Sequence, residues 1–216
     1  MLDQVLQQRP ALRARVSSVI RVVLTIVLFA AVICLALRLT LLLRFEPFRR
    51  TMIWTPGAVL FTALLIAPPR RWWIYYAGFC LGAVGAYFDD EAIPSSHVMF
   101  VVQFLFSTTA LGAWVIRRSR NSFSLANPET FVWFVAWAVA IVPITTEASQ
   151  VLVLFASGAT DVWAAALHNV LSIALGVLCG TPALTLTLIN GHAWLRAGSW
   201  KRFLEIGALA ACLVTV

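Results

Sequence analysis

Over most of this chain the apolar residues do not alternate with polar ones at the period of a half-buried helix or strand. They run on without interruption, and polar residues gather in short connectors. Seven apolar runs lie near Ser17–Leu43, Ile53–Pro68, Trp72–Phe88, Val98–Ile116, Phe131–Phe155, Val162–Ile189 and from Leu204 onward. A helix needs about 20 apolar residues to cross the hydrocarbon layer of a bilayer, and a helix apolar on every side has no use for water. A membrane barrel would show segments of about 10 residues with alternating hydropathy, and the chain has none. The pattern predicts an all-α fold, a polytopic transmembrane helix bundle with seven spans in view.

The connectors then set the orientation. With the amino terminus in the cytoplasm, Arg9, Arg13, Arg15, Arg70, Arg71, Arg117, Arg118, Arg120, Arg196, Lys201 and Arg202 fall on the inner side. Only Arg44, Arg49 and Arg50 fall outside, together with the acidic connector Asp89, Asp90 and Glu91. Cationic loops stay on the cytoplasmic side, so this orientation is preferred over its reverse. It corresponds to a multi-pass protein of a bacterial inner membrane with a cytoplasmic amino terminus. Arg21 and Arg38, near opposite ends of the first run, can snorkel to opposite interfaces, or Arg38 can turn inward.

Composition changes this picture little. The chain is 61% hydrophobic and only 12% charged, so its exterior must be apolar too. A net charge of +7 would suit nucleic acid, but the arginines sit at helix ends and form no basic stripe with interleaved aromatics. Nucleic acid is therefore not an expected partner; membrane lipids are. The first run is too long and too basic at its inner end for a cleaved signal peptide, and no small-residue cleavage site follows it. Cys34, Cys80, Cys179 and Cys212 lie inside apolar runs without CxxC spacing or neighbouring histidines, which argues for packing and against a metal site or disulfide framework. Without a linker, low-complexity segment or repeat, residues 1–216 read as one domain.

The strongest local signature is Ile53-Trp54-Thr55-Pro56-Gly57, followed by Leu64-Leu65, Arg70-Arg71-Trp72, Gly78 and Gly82. Trp54 suits an outer interface, Pro56 a first helical turn, and Gly57 a close neighbour. A second signature lies in the sixth run, at Gly176-Val177-Leu178 and Thr181-Pro182-Ala183-Leu184. Together these stretches resemble the MASE-one family, the first class of membrane-associated sensor domains in bacterial signalling proteins. The resemblance covers most of Ile53–Leu188. The chain departs from the family pattern just before Gly176, where an acidic residue is expected and Leu171-Ser172-Ile173-Ala174-Leu175 stands instead.

The resemblance implies eight spans in the intact domain, with a cytoplasmic histidine kinase or diguanylate cyclase following the last. It also implies a homodimer formed through the full-length protein, with a partner membrane protein or a small ligand as a further binding partner. The last run holds only about 13 residues of the roughly 20 that a span needs, so the chain is expected to stop short of that helix.

Candidate chemistry is sparse. Glu147 stands in the polar patch Thr145-Thr146-Glu147-Ala148-Ser149-Gln150 of the fifth run, while His168, Asn169 and Ser172 open the sixth. Counted from the turn near Ser157–Asp161, both groups lie about 10–18 Å deep. They can therefore meet across the hairpin. His168, Ser172 and Gly176 follow one another at four-residue steps and share a side of the helix. A carboxyl at that depth costs several kcal/mol unless it is paired, protonated or hydrated, so Glu147 is expected to find His168, Asn169 or Arg38.

Two readings follow: a buried hydrogen bond that fixes packing, and a signal site in the outer half that also draws on Trp54, Tyr87, Asp89 and Gln103. A proton- or ion-coupling role is a further reading. His97 and His192 are expected in loops, and Trp72, Trp73, Trp163, Trp194 and Trp200 at interfaces. No phosphate loop, nucleophile elbow or zinc motif is present. No catalytic residue, metal site or cofactor is thus expected in these residues. The function classes are a sensory input module, a transporter or channel subunit, and a passive anchor that dimerises an effector.

Overall fold

In a computed structural model, residues 2–42, 44–45, 50–51, 53–87, 95–119, 127–156 and 162–197 are described. They form α1 (Leu2–Leu42), a minimal antiparallel pairing of β1 (Arg44–Phe45) with β2 (Arg50–Thr51), α2 (Thr55–Ile66) and α3 (Trp72–Tyr87). Then follow α4 (Ser95–Ser119), α5 (Pro128–Phe134), a π-helical stretch (Val135–Ile141), α6 (Val142–Ala156) and α7 (Trp163–Ala197). The all-α class is as the sequence predicts.

The number of spans differs. Among the described residues four helices are long and apolar enough to cross a membrane, namely Val16–Leu42, Met99–Arg118, Pro128–Leu152 and Ala166–Ile189. The expected second and third spans are shorter helices, α2 with 12 residues and α3 with 16. The expected seventh span, from Leu204, lies outside the described residues. His97 and His192, expected in loops, fall within α4 and α7.

Local chemistry explains the boundaries. Pro56 sits at the start of α2, where its missing N–H is no loss, and the Pro68-Pro69 pair ends the helix by forcing Ala67 into extended backbone. Asn127 caps α5, its side chain accepting from the Glu129 N–H at 3.0 Å, with Pro128 next in line. The π-helical stretch ends two residues before Pro143, which has no N–H to give to the carbonyl one turn back. The wider turn lets the helix run on through that proline.

Helix directions can be read from the close approaches. Gly78, Gly82 and Gly85 of α3 meet Ile26, Ala30 and Cys34 of α1, so those two helices run parallel. Gly176 and Gly180 of α7 meet Trp54 and Ala58, so α7 runs parallel to α2. Gly112 meets Val142, and the Thr108 and Thr146 hydroxyls are 3.3 Å apart, so α4 and α6 are antiparallel. The Thr55 hydroxyl stands 3.0 Å from that of Thr40 and donates to the Ala36 carbonyl at 3.2 Å, holding the end of α1 to the start of α2. Hence α1, α3 and α6 point one way, and α2, α4 and α7 the other.

At the centre lies α2, with Pro56, Gly57, Ala58, Leu60, Phe61, Thr62, Leu64 and Leu65 all buried. It packs against α1, α3, α4 and α7. The Phe61 ring meets Phe134 edge-on, 5.9 Å between centroids, and Leu60, Leu64, Ala113, Ile116 and Val177 complete the core around it. By contrast α1 packs chiefly along α3 and leaves Val19, Ile20, Val23, Leu24, Val27 and Leu28 exposed. Against lipid such a face costs nothing; in water it would be a large apolar patch.

The end of α2 is held from outside. It has no basic residue in its last turn, and its final carbonyls would otherwise be orphaned. Arg117 Nη1, at the end of α4, donates to the carbonyls of Leu65 at 2.8 Å, Ala67 at 2.7 Å and Leu64 at 3.4 Å. Trp72 Nε1 donates to Leu64 at 3.2 Å and Ala67 at 3.1 Å. This contact places Arg70, Arg71, Arg117 and Arg118 at one end of the bundle, with Arg44 and Arg50 near the other.

Candidate functional site

The polar patch of the fifth run lies in α6, just past the π-helical stretch, and its side chains divide between two neighbours. Thr146, 1% exposed, donates to the Val142 carbonyl at 2.8 Å and turns toward Thr108 of α4. Glu147, 4% exposed, turns instead toward α7, where Asn169 Nδ2 donates to its Oε2 at 3.2 Å. Ser149 is buried and donates to the Thr146 carbonyl at 2.6 Å. Of the three partners expected for Glu147, the fold thus provides Asn169; His168 is half-buried one residue earlier.

Three residues beyond Asn169, about 4.5 Å along the axis, is Ser172. Its backbone carbonyl accepts the Trp54 N–H at 3.1 Å, while its own buried hydroxyl and the buried Trp54 indole N–H have no hydrogen-bond partner. Below it, the backbone of Trp54 presses directly on Gly176. The four-residue ladder Ser172, Gly176 and Gly180 is the track on which α2 rides, and the carboxyl–carboxamide pair sits at its upper end. Small residues allow this approach, because a Cβ at Gly180 would come 2.7 Å from that of Ala58.

The remaining expected site residues fall elsewhere. Gln103 is exposed on α4 and engages Tyr76 and Ser107 rather than Glu147. Arg38 is on the exposed side of α1, and Tyr87 is half-buried at the end of α3. Asp89 lies outside the described residues. The fold therefore unites Glu147, Asn169, Ser172 and Trp54 along α7 and assigns Gln103 to another surface.

Sequence reasoning missed the Thr108–Thr146 contact and the Arg117 and Trp72 cap. Thr108 carried no signal, since threonines are common in apolar helices. The cap did carry one, because a helix ending Ile66-Ala67-Pro68 with neither glycine nor a cation must find donors from another segment. Chemically, the cluster offers a carboxyl, a carboxamide and a free hydroxyl, a set suited to hydrogen-bonding a small polar group. Among the described residues no three His, Cys, Asp or Glu side chains are grouped to hold a metal ion.

Fold and site together define a helical bundle in which four long apolar helices among the described residues are compatible with a multi-pass membrane protein, with the buried Glu147–Asn169 pair between the last two described helices. No family model, curated protein or solved structure matches the chain.

Proposed function

We propose that this chain is the membrane-embedded sensory input module of a bacterial signalling protein, its helices passing a change at the Glu147–Asn169 pair to a cytoplasmic histidine kinase or diguanylate cyclase. The supporting observation is the convergence of the two short stretches that resemble the MASE-one family. Trp54-Thr55-Pro56-Gly57 and Gly176–Gly180 are far apart in sequence, yet the Trp54 N–H bonds to Ser172 and the glycines receive α2. A ligand or partner that altered the Glu147–Asn169 contact would move α7, and α2 rides on α7.

In this reading α2 and α3 complete their crossings with flanking residues. The arginine-rich end faces the cytoplasm, in keeping with the positive-inside rule. Glu147→Gln and Asn169→Ala are expected to change output activity of the full-length protein severalfold with membrane insertion unchanged. Normal signalling by both variants across growth conditions would remove the pair from the mechanism.

One observation favours a transporter as a second reading: the π-helical stretch and Pro143 interrupt the regular ladder beside the buried Glu147. Solute uptake by proteoliposomes containing only this chain would decide for it.

A further inference from the structure

The exposed face of α4 carries Phe100, Gln103, Ser107, Leu111 and Trp114 at steps of three and four residues, the spacing of a helix–helix seam. All five lie within the span Met99–Arg118. Gln103 and Ser107 stand about 12 and 18 Å along α4 from its first residue, well inside a layer about 30 Å thick. A carboxamide on an exposed face at that depth is out of place unless something polar covers it.

Its own molecule satisfies only half of it. Tyr76 Oη donates to Gln103 Oε1, and Gln103 Nε2 donates to Ser107 Oγ at 3.2 Å. The Ser107 hydroxyl in turn donates back to the Gln103 carbonyl at 2.8 Å. A primary amide has two N–H donors and two acceptor lone pairs, so one of each remains. The network fixes the side chain and leaves one donor and one acceptor position of an exposed residue unused.

We infer that this α4 face is a dimer interface with a second copy of the chain, closed by reciprocal hydrogen bonds between the two Gln103 carboxamides. The argument is charge complementarity. A carboxamide carries partial positive and partial negative charge side by side, so across a two-fold axis each N–H meets the other copy's carbonyl oxygen. Ser107, small and one turn away, lets the helices approach, and an interhelical bond of this kind stabilises association in lipid. The chain's own run from Leu204 to Val216 is a poorer occupant, because its polar side chains, Glu205 and Thr215, lie near its two ends and no amide falls between them. The inference rests on the membrane reading above and deepens its expectation of a homodimer by naming the surface.

The test is energy transfer between donor- and acceptor-tagged full-length chains in phosphatidylethanolamine–phosphatidylglycerol vesicles, measured as lipid is added. The wild-type chain should associate, and Gln103→Leu should weaken association about tenfold. Ser107→Leu, which leaves the amide in place and blocks the approach, should do the same, while Gln103→Asn should retain most of the association. Protease protection of each variant reports insertion separately, so a failure of the membrane reading is recognised as such. A wild-type chain that stays monomeric while inserted, whether because its own Leu204–Val216 segment or another protein covers the face, overturns the inference. So does a dimer that Gln103→Leu leaves unchanged.

Discussion

Gly176→Val will loosen α2 from α7 and lower the unfolding midpoint more than the same change at any other glycine with a described neighbourhood. A Cβ at this position would run into the Trp54 carbonyl oxygen and come 2.8 Å from its carbonyl carbon and 3.1 Å from its nitrogen. These are backbone atoms held by the Trp54–Ser172 hydrogen bond, so no flexible tip can give way. Overpacking of this kind costs about 3 kcal/mol, and loss of the adjoining hydrogen bond adds to it. Even Gly176→Ala should be damaging.

Gly85 provides the control, because its added Cβ would meet only Cys34 Sγ at 3.8 Å. There Gly→Ala should be neutral or slightly stabilising through helix propensity. Unfolding in mild detergent, followed by tryptophan fluorescence and circular dichroism, separates the two. Equal midpoints for Gly176→Ala and Gly85→Ala would mean that α2 and α7 do not meet as described.

Arg117→Ala is expected to cost about 2–3 kcal/mol, as charge-assisted hydrogen bonds to otherwise buried carbonyls are lost. The guanidinium serves three acceptors at the negative end of the α2 dipole, and Trp72 reaches two of them, Leu64 and Ala67. The Leu65 carbonyl depends on Arg117. Trp72→Phe should therefore cost less, about 1 kcal/mol.

Because the two donors share acceptors, the double variant should lose more than the sum of the singles. Arg117→Lys keeps a cation at the helix end without the planar fork, and should fall between wild type and Arg117→Ala. The same detergent titrations measure all four proteins. Additive losses, or an Arg117→Ala chain as stable as wild type, would show that the α2 end is held some other way.

The carboxyl–carboxamide pair was legible in the sequence for a plain reason. A glutamate inside an apolar helix needs a polar partner, and the expected candidates were His168, Asn169 and Arg38. The choice of Asn169 among them depends on the rotation of α6 against α7, which no spacing rule supplies. Gln103 shows the converse. It shares a depth range with Glu147 but points away from it, because α4 offers Thr108 and Gly112 to α6 and turns Gln103 toward α3 and the outside.

Hydropathy by itself determined the helical class, the apolar exterior and the segregation of arginines, since each follows from what lipid and water accept. It did not determine which apolar helices are long enough to cross a membrane and which lie at the centre of the bundle. The 12 residues of α2 are as apolar as any span, and only the tertiary structure shows them wrapped by their neighbours. In a chain whose inside and outside are equally oily, hydrophobicity carries no signal for burial. Position is decided by close approach at Gly78, Gly82, Gly176 and Gly180 and by where the few polar groups find partners.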